Sequence, residues 1–320
     1  MPVSAKKIML IGFGTVGQGF FEMLSSKRNL PIFQGAKITE IVDMKIGHVR
    51  NPGQNIVEEV RAGKTFPQES VVEAIRKSDA DIVCEFTWVN FKDAEPAYTH
   101  MLTALQQGKH VITTNKGPIA LRYRELISEA GKRNLQIKFK GTVMAGTPSF
   151  NIMKLLPGAE VIGVRGIMNG TTNYILARMA QGISFEGALK EAQAMGYAEA
   201  DPTNDVDGFD AAAKAVILSN VFGWNHTMKS IVVKGIRNVT PDEAASGTKL
   251  LVSVDANRAS VSPEKLGEND VLRHVNGVMN AIELNTDTLG RIYSLGPGAG
   301  RMETAQAAMT DLAEILSGTG

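Results

Sequence analysis

Over its first half the chain alternates short apolar runs with longer amphipathic stretches, the pattern of strands buried on both faces and separated by helices. Lys7 to Ile11 reads as such a strand, Gln18 to Ser26 as a helix with Phe20, Phe21 and Leu24 inward, and Lys37 to Val42 as a second strand closed by Asp43. Residues 51–79 are polar and irregular, with one helix at Ser70 to Arg76. The alternation then resumes: strand Ala80 to Phe86 ending at Thr87, helix Glu95 to Gln107 stopped by Gly108, strand His110 to Ile112, helix Pro118 to Lys132 and strand Leu135 to Phe139. Strands spaced by single helices predict an α/β, doubly wound parallel sheet of the Rossmann type.

The texture changes at Gly141 to Pro148, a run of small residues followed by a helix from Ser149 to Leu155, and the domain crossing is placed there. Beyond it, Glu160 to Ile167 reads as a strand leading into the loop Asn169 to Asn173, which opens a helix from Tyr174 to Gln181. A further helix is N-capped by Ser184 and stopped by Gly196. Ser230 to Lys234, Lys249 to Val254, Leu272 to Val275 and Val278 to Leu284 follow as strands with no helices between them. That order predicts an α+β domain with a mixed or antiparallel sheet, one face of which is free to dimerise. A glycine-rich turn, Gly296 to Gly300, precedes a helix from Glu303 to Leu316, expected to return to the first domain. The division is therefore 1–145, completed by 296–320, as the first domain and 146–295 as the second.

Composition narrows the partners. With 34 Lys and Arg against 33 Asp and Glu among 320 residues, no basic excess points to nucleic acid. The apolar run after the N-terminal lysines is broken at once by glycines, and no segment reaches the roughly 18 apolar residues of a membrane span. The lone cysteine, Cys84, sits in an apolar strand, which excludes an intrachain disulfide and fits a reducing, cytoplasmic location. None of the histidines has metal-ligand spacing to another, and each reads as structural.

Candidate chemistry gathers in two places. Gly12-Phe13-Gly14-Thr15-Val16-Gly17 is G-x-G-x-x-G between a strand and a helix. Gly12 suits the tight turn, Gly14 a close backbone approach to a pyrophosphate, and Gly17 helix–strand packing. Asp43 stands where a carboxylate binds the ribose 2′-hydroxyl of NAD, while Lys45, His48 and Arg50 read either as an ordinary solvated loop or as cations for the 2′-phosphate of NADP; the balance tips slightly to NADP. Thr87, Thr114 and Lys116 follow strand ends and face the same crevice.

The second place is Gly196 to Lys214, a turn-rich loop carrying Glu199, Asp201, Asp205, Asp207 and Asp210 that runs into a helix apolar nearly all round. Asp210 and Lys214 are four apart, on one face of that helix. Charges on a buried helix need each other or a polar ligand.

Six segments taken together resemble the homoserine dehydrogenases: G-F-G-T-V-G at 12–17, T-T-N-K at 113–116, V-M-A-G-T-P at 143–148, N-G-T-T-N-Y-I-L at 169–176, the long G-Y-A-E-A-D-P-T-N-D-V-D-G-F-D-A-A-A-K at 196–214, and G-P-G-A-G-R-M-E-T-A at 296–305. The resemblance is to the short form, without the regulatory C-terminal domain or fused aspartate kinase, so feedback inhibition through such a domain is not expected. It implies reversible NAD(P)H-dependent reduction of aspartate β-semialdehyde to homoserine, on the way to threonine and methionine, by a homodimer. It further implies Lys214 as catalytic lysine, Lys116 as a second active-site lysine, and Glu199, Asp205 and Asp210 as acidic substrate contacts, alongside Asn169, Thr171 and Gly196. Over residues 296–305 it implies Gly300 and Thr304 as further cofactor contacts. One departure stands out. Members of the family often hold a monovalent cation with a glutamate and loop carbonyls, and here the glutamate position is Lys140, whose ammonium can fill the cation's place; bound sodium is not expected.

Reduction of an aldehyde leaves an alkoxide, so an acid is needed beside the carbonyl oxygen, with Lys214 first and Lys116 as competitor. Two other readings stay open. Another amino-acid dehydrogenase would change the contacts between 169 and 214, and a non-catalytic NAD(P)-binding regulator would have no use for a buried Asp210 and Lys214.

Overall fold

The structure, a computed structural model, describes residues 6–318, which fall into two compact units: 6–146 with 300–318, and 147–299.

The first unit is a six-stranded sheet in the order β3-β2-β1-β4-β5-β6, with β1 Lys6–Ile11, β2 Ala36–Asp43, β3 Gly47–Arg50, β4 Ile82–Glu85, β5 His110–Thr113 and β6 Ile137–Lys138. All neighbours are parallel except β2 and β3, which form an antiparallel pair at one edge. Ile8 to Ile11 and Ile82 to Cys84 are fully buried, as apolar runs in a sheet covered on both faces must be. Helices α1 Thr15–Lys27, α2 Ile56–Arg61, α3 Val71–Lys77, α4 Ala97–Gln106, α5 Lys116–Leu121 and α6 Tyr123–Lys132 connect the strands. The last helix, α12 Arg301–Ser317, packs along α1 and adds Ala305, Met309, Leu312 and Ile315 to the core. The packing is close: a Cβ on Gly19 would lie 3.0 Å from the Arg301 carbonyl oxygen. Glu22 ties the pair with an ion pair to Arg301 at 2.7 Å.

The second unit is a mixed sheet in the order β12-β11-β7-β9-β10-β8, with β7 Val161–Ile167, β8 Val232–Val233, β9 Thr248–Val254, β10 Ala259–Lys265, β11 Met279–Thr286 and β12 Gly290–Pro297. Only β8 and β10 run parallel. Its helices are α7 Gly170–Met179, α8 Phe185–Ala194, the short α9 Thr203–Val206, α10 Phe209–Val221 and α11 Pro241–Ala245. Residues 211–219 of α10 are all buried, as its apolar circumference requires.

Several expectations need correction. His48 and Arg50 lie on β3 rather than in a loop, and α2 adds a helix to the stretch read as irregular. The helix expected over 118–132 breaks at Arg122 into α5 and α6, and the helix after Ser149 is a 3₁₀ turn. Leu272 to Val275 is not a strand: residues Val271–His274 form a 3₁₀ helix, with Asp270 capping it through Leu272 N. The sheet instead gains β10 and β12, so Gly296 and Pro297 belong to a strand and not to a turn. Finally, α7 starts at Gly170, which places Thr171 to Asn173 in its first turn.

Candidate functional site

In the first unit the glycine turn follows β1 and opens α1. Gly12 has φ +87°, and a Cβ there would meet the Phe86 carbonyl at 2.8 Å. A Cβ on Gly17 would meet Gly12 O at 2.3 Å, so both glycines are fixed by close packing. Gly14 differs, with nothing within 4 Å of its would-be Cβ. The turn therefore offers exposed backbone at Gly14 and Thr15 on the N-terminus of a helix of 13 residues with no acid in its first turn. Those features fit a pyrophosphate. Phe13 and Val16 form the inward side of the turn, buried and half-buried.

Asp43, at the end of β2, is already in use. Its Oδ2 accepts from Phe13 N at 2.8 Å and its Oδ1 from Lys45 N at 2.7 Å, which fixes the glycine turn to the strand end. A ribose hydroxyl would share these oxygens through their remaining lone pairs. Of the three cations read beside it, Lys45 and Arg50 are exposed, and Arg50 is paired with Glu69, which leaves Lys45 as the one that fits the expectation. His48 is buried between Glu40 Oε2 at 3.0 Å and Glu69 Oε2 at 2.7 Å, and Arg50 donates to Glu69 at 2.9 Å. Lys77 first and His48 next hold the Glu69 carboxyl down at about 2. These charges are committed to bracing the β2–β3 edge.

The loops after β4 and β5 are stitched together. Asn115 Nδ2 donates to Thr87 O at 3.2 Å and Trp88 O at 2.9 Å, while its Oδ1 caps α5 through Gly117 N at 3.1 Å. Thr87 donates through its hydroxyl to Glu85 Oε1. Lys116 is the first residue of α5 and half-buried, and Thr114 beside it packs its methyl where a Gly141 Cβ would stand, 2.6 Å away. Gly300 caps the start of α12, its carbonyl accepting from Thr304 N at 3.0 Å.

Lys140 is 7 % exposed. Its ammonium reaches α12, at 2.9 Å from Asp311 Oδ1 and 2.7 Å from Glu314 Oε1, and its backbone N–H donates to Asp311 Oδ2 at 3.0 Å. Full burial lifts the Asp311 carboxyl to about 6, against the pull of Lys140. Among the described residues no group of three or more His, Cys, Asp or Glu side chains could hold a metal ion. Cys84 is buried, and burial pushes its thiol up.

In the second unit the end of β7, the first turn of α7 and the start of α10 converge. Asn169 N-caps α7, its Oδ1 accepting from Thr172 N at 2.9 Å. Its Nδ2 then bridges two carboxylates, Asp205 Oδ1 at 2.7 Å and Asp210 Oδ2 at 3.0 Å. The same Asp210 oxygen lies 2.7 Å from Lys214 Nζ, as the four-residue spacing predicts. Lys214 is 6 % exposed and also donates to the Met168 carbonyl at 2.5 Å. Sequence reasoning missed Met168, because a backbone acceptor leaves no mark in side-chain pattern. Asn169 was expected as a donor to the substrate in a loop ahead of a helix at Tyr174, and its place as N-cap of a helix starting at Gly170 was not.

The rest of the acidic run turns away from this cluster. Arg237 donates to both oxygens of Asp207, and Asp201 Oδ1 accepts from Thr203 N at 3.1 Å. Glu199 is exposed on the loop after Gly196, its backbone carbonyl held by Gln193 Nε2 at 3.0 Å. Thr171 reaches the same loop, donating to Tyr197 O at 2.6 Å. Thus Asp205, Asp210, Lys214 and Asn169 are brought together, whereas Glu199 and Gly196 stand at the loop's outer edge.

A mostly parallel sheet with an open glycine turn, in one chain with a buried lysine held by a carboxylate on a second unit, fits an NAD(P)-dependent oxidoreductase acting on a small polar molecule. The chain belongs to the homoserine dehydrogenase family. The family model for homoserine dehydrogenase matches residues 148–313, and that for its NAD-binding domain matches residues 12–140. The homoserine dehydrogenase of Sulfurisphaera tokodaii is 39% identical over 307 residues, covering 96% of this chain and 97% of that one. The NAD(+)-dependent homoserine dehydrogenase of Pseudomonas canavaninivorans is 35% identical over 338 residues, covering 97% and 96%. Among solved structures, a hyperthermophilic archaeal homoserine dehydrogenase in complex with NADPH superimposes with a TM-score of 0.86 at 30% identity, covering 97% of each chain. The family's activity is NAD(P)-dependent oxidoreduction in the biosynthesis of aspartate-family amino acids. No helix among the described residues is long and apolar enough to cross a membrane.

Proposed function

We propose that this chain interconverts aspartate β-semialdehyde and homoserine with Lys214 as the proton donor, and that NADP is the preferred cofactor. The observation that carries the first part is the part-buried chain Asp205–Asn169–Asp210–Lys214, with successive contacts of 2.7, 3.0 and 2.7 Å. Bound NAD(P)H supplies hydride to the aldehyde carbon, and everything else falls to the protein. Lys214, 6 % exposed, gives its proton to the oxygen that gains charge. Asp210 keeps the ammonium aimed, while Asn169 fixes Asp210 and shares its other N–H with Asp205. Asp205 and Glu199 suit the substrate's α-ammonium, with Thr171 and Gly196 shaping the loop around it. The N-terminus of α7 suits its carboxylate. Lys116 is the competing donor.

Gly12 to Gly17, Thr87, Thr114, Gly300 and Thr304 would hold the dinucleotide, and Lys45 is the exposed cation suited to a 2′-phosphate. The NADPH complex of the archaeal relative supports the NADP reading, and the NAD(+)-dependent relative marks the alternative. The outer face of β12, where Tyr293 and Leu295 are 36% and 58% exposed, supports a homodimer built on the second sheet. A single buried cysteine is in keeping with a cytoplasmic enzyme.

The test is the loss of reduced-nicotinamide absorbance with aspartate β-semialdehyde, with NADH and NADPH run in parallel. Oxidation that depends on substrate and is faster with NADPH supports the whole reading. Faster turnover with NADH removes the role given to Lys45, and no oxidation by protein that binds either cofactor sinks the substrate assignment. Sedimentation of wild type against Leu295→Lys reads the dimer; a monomeric wild type removes it.

A further inference from the structure

Away from Lys214, an open cavity of about 520 Å³ lies along α7, bounded by α11 and residues 273–277. Its wall includes Tyr174, Arg178, Lys249, Arg273, His274 and Asn276, and no Asp or Glu lines it. At its inner end Lys249 is only 5 % exposed. Its ammonium donates to Asn173 Oδ1 at 3.1 Å, Val275 O at 2.6 Å and Asn276 Oδ1 at 3.0 Å, all neutral oxygens. Burial first, and Arg273 second, push this lysine down to about 8. Arg273 donates through Nη1 to the carbonyls of Ser246 and Leu266, again without a carboxylate. His274 Nε2 faces Glu268 O at 2.9 Å.

The surrounding charges do not balance this pair. Arg178 is neutralised by Glu191 of α8, at 2.6 Å. The Tyr174 hydroxyl is turned to Met195 Sδ at 3.2 Å. Glu264, the register partner of Lys249 across β9 and β10, accepts from Ser262 Oγ at 3.1 Å. Among the described residues, then, neither Lys249 nor Arg273 enters an ion pair. A buried ammonium normally has an anionic partner, and a guanidinium beside it offers a fork suited to two oxygens of one group.

We propose that this cavity binds a small oxyanion, a carboxylate or phosphate group that supplies the counter-charge for Lys249 and Arg273. The cavity volume is in the range of small-metabolite sites. Lys249 also holds Asn173, in the α7 turn that carries Thr171, so an occupant would touch a brace of the proposed substrate loop. That last link rests on the role given to Asn169 and Thr171, whereas the binding itself does not.

The test is calorimetric titration of the full chain with inorganic phosphate and, separately, succinate, at constant ionic strength and with saturating NADPH so that the glycine turn is occupied. Saturable binding of either supports the site and names its class. The affinity should fall at least tenfold in Lys249→Gln and about threefold in the exposed His274→Gln, and should weaken as pH rises through 8, where Lys249 loses its charge. Unaltered NADPH affinity and circular dichroism certify that the variants are folded. No saturable binding by either anion in the wild type overturns the proposal, as does binding that both variants leave unchanged.

Discussion

Two buried lysines show how differently the two units use the same side chain. Lys140 lies between Asp311 and Glu314, both on α12, and so joins segments 171 residues apart. Lys214 has its carboxylate four residues away on the same helix, with the Met168 carbonyl as its other acceptor. The first arrangement gives the ammonium two carboxylates, one of them shared with Lys138 at 3.0 Å, and fixes tertiary structure. The second supplies one charge and one dipole, aligned by Asn169, and leaves the ammonium available for a further acceptor. Equal burial, at 7 % and 6 % exposure, therefore says little about role, and the number and origin of the acceptors says more.

The comparison breaks first at Lys214. Lys214→Ala should lower turnover by about 10³-fold, within the range of a lost general acid, while the dissociation constant for NADPH, followed by fluorescence, stays within about threefold. A small loss of turnover would transfer the acid role to Lys116. Lys140→Met should do the opposite, costing about 3 kcal/mol of stability by urea unfolding because Asp311 is left buried and unpaired. Adding Asp311→Leu should recover most of that loss, as replacing a buried pair by apolar groups generally does.

A pH series sharpens the same contrast. The Asp311 carboxyl sits at about 6 in the folded chain against its ordinary 3.8, so the folded state binds more protons in between. Stability should fall as pH rises from about 4 to 6 and level off above. Other carboxyls, such as Glu69, pull the opposite way, so the quantity to read is wild type minus Asp311→Asn, in which this slope disappears. The smallest effect belongs to Lys45→Ala, expected to raise the KM for NADPH about threefold, as for one exposed charge, without changing that for NADH.

The central strands and the overall α/β class were legible because Ile8 to Ile11 and Ile82 to Cys84 are continuous apolar runs. The acidic loop was legible as a unit, yet its charges diverge in space: Asp207 turns to Arg237 and Asp210 to Lys214, a division set by tertiary packing. β12 escaped notice because its pattern of exposed Tyr293 and Leu295 lacks the buried half of a normal alternation. The place of His48 on a buried strand was not legible for a related reason, since its partners Glu40 and Glu69 come from a strand and a loop that only the folded sheet brings near. Local periodicity carries strand and helix identity, whereas partner choice for a charged side chain is a long-range property.

The first unit is discontinuous, and that shapes how the chain is made. Met309, Leu312 and Ile315 fill the core behind α1, but they are synthesised only after residues 147–299. The second unit, contiguous in sequence, has all its strands available beforehand. On the ribosome the nascent sheet of the first unit must therefore wait, with α1 uncovered, until the last helix emerges. Until then it presents an apolar flank to the cell's chaperones.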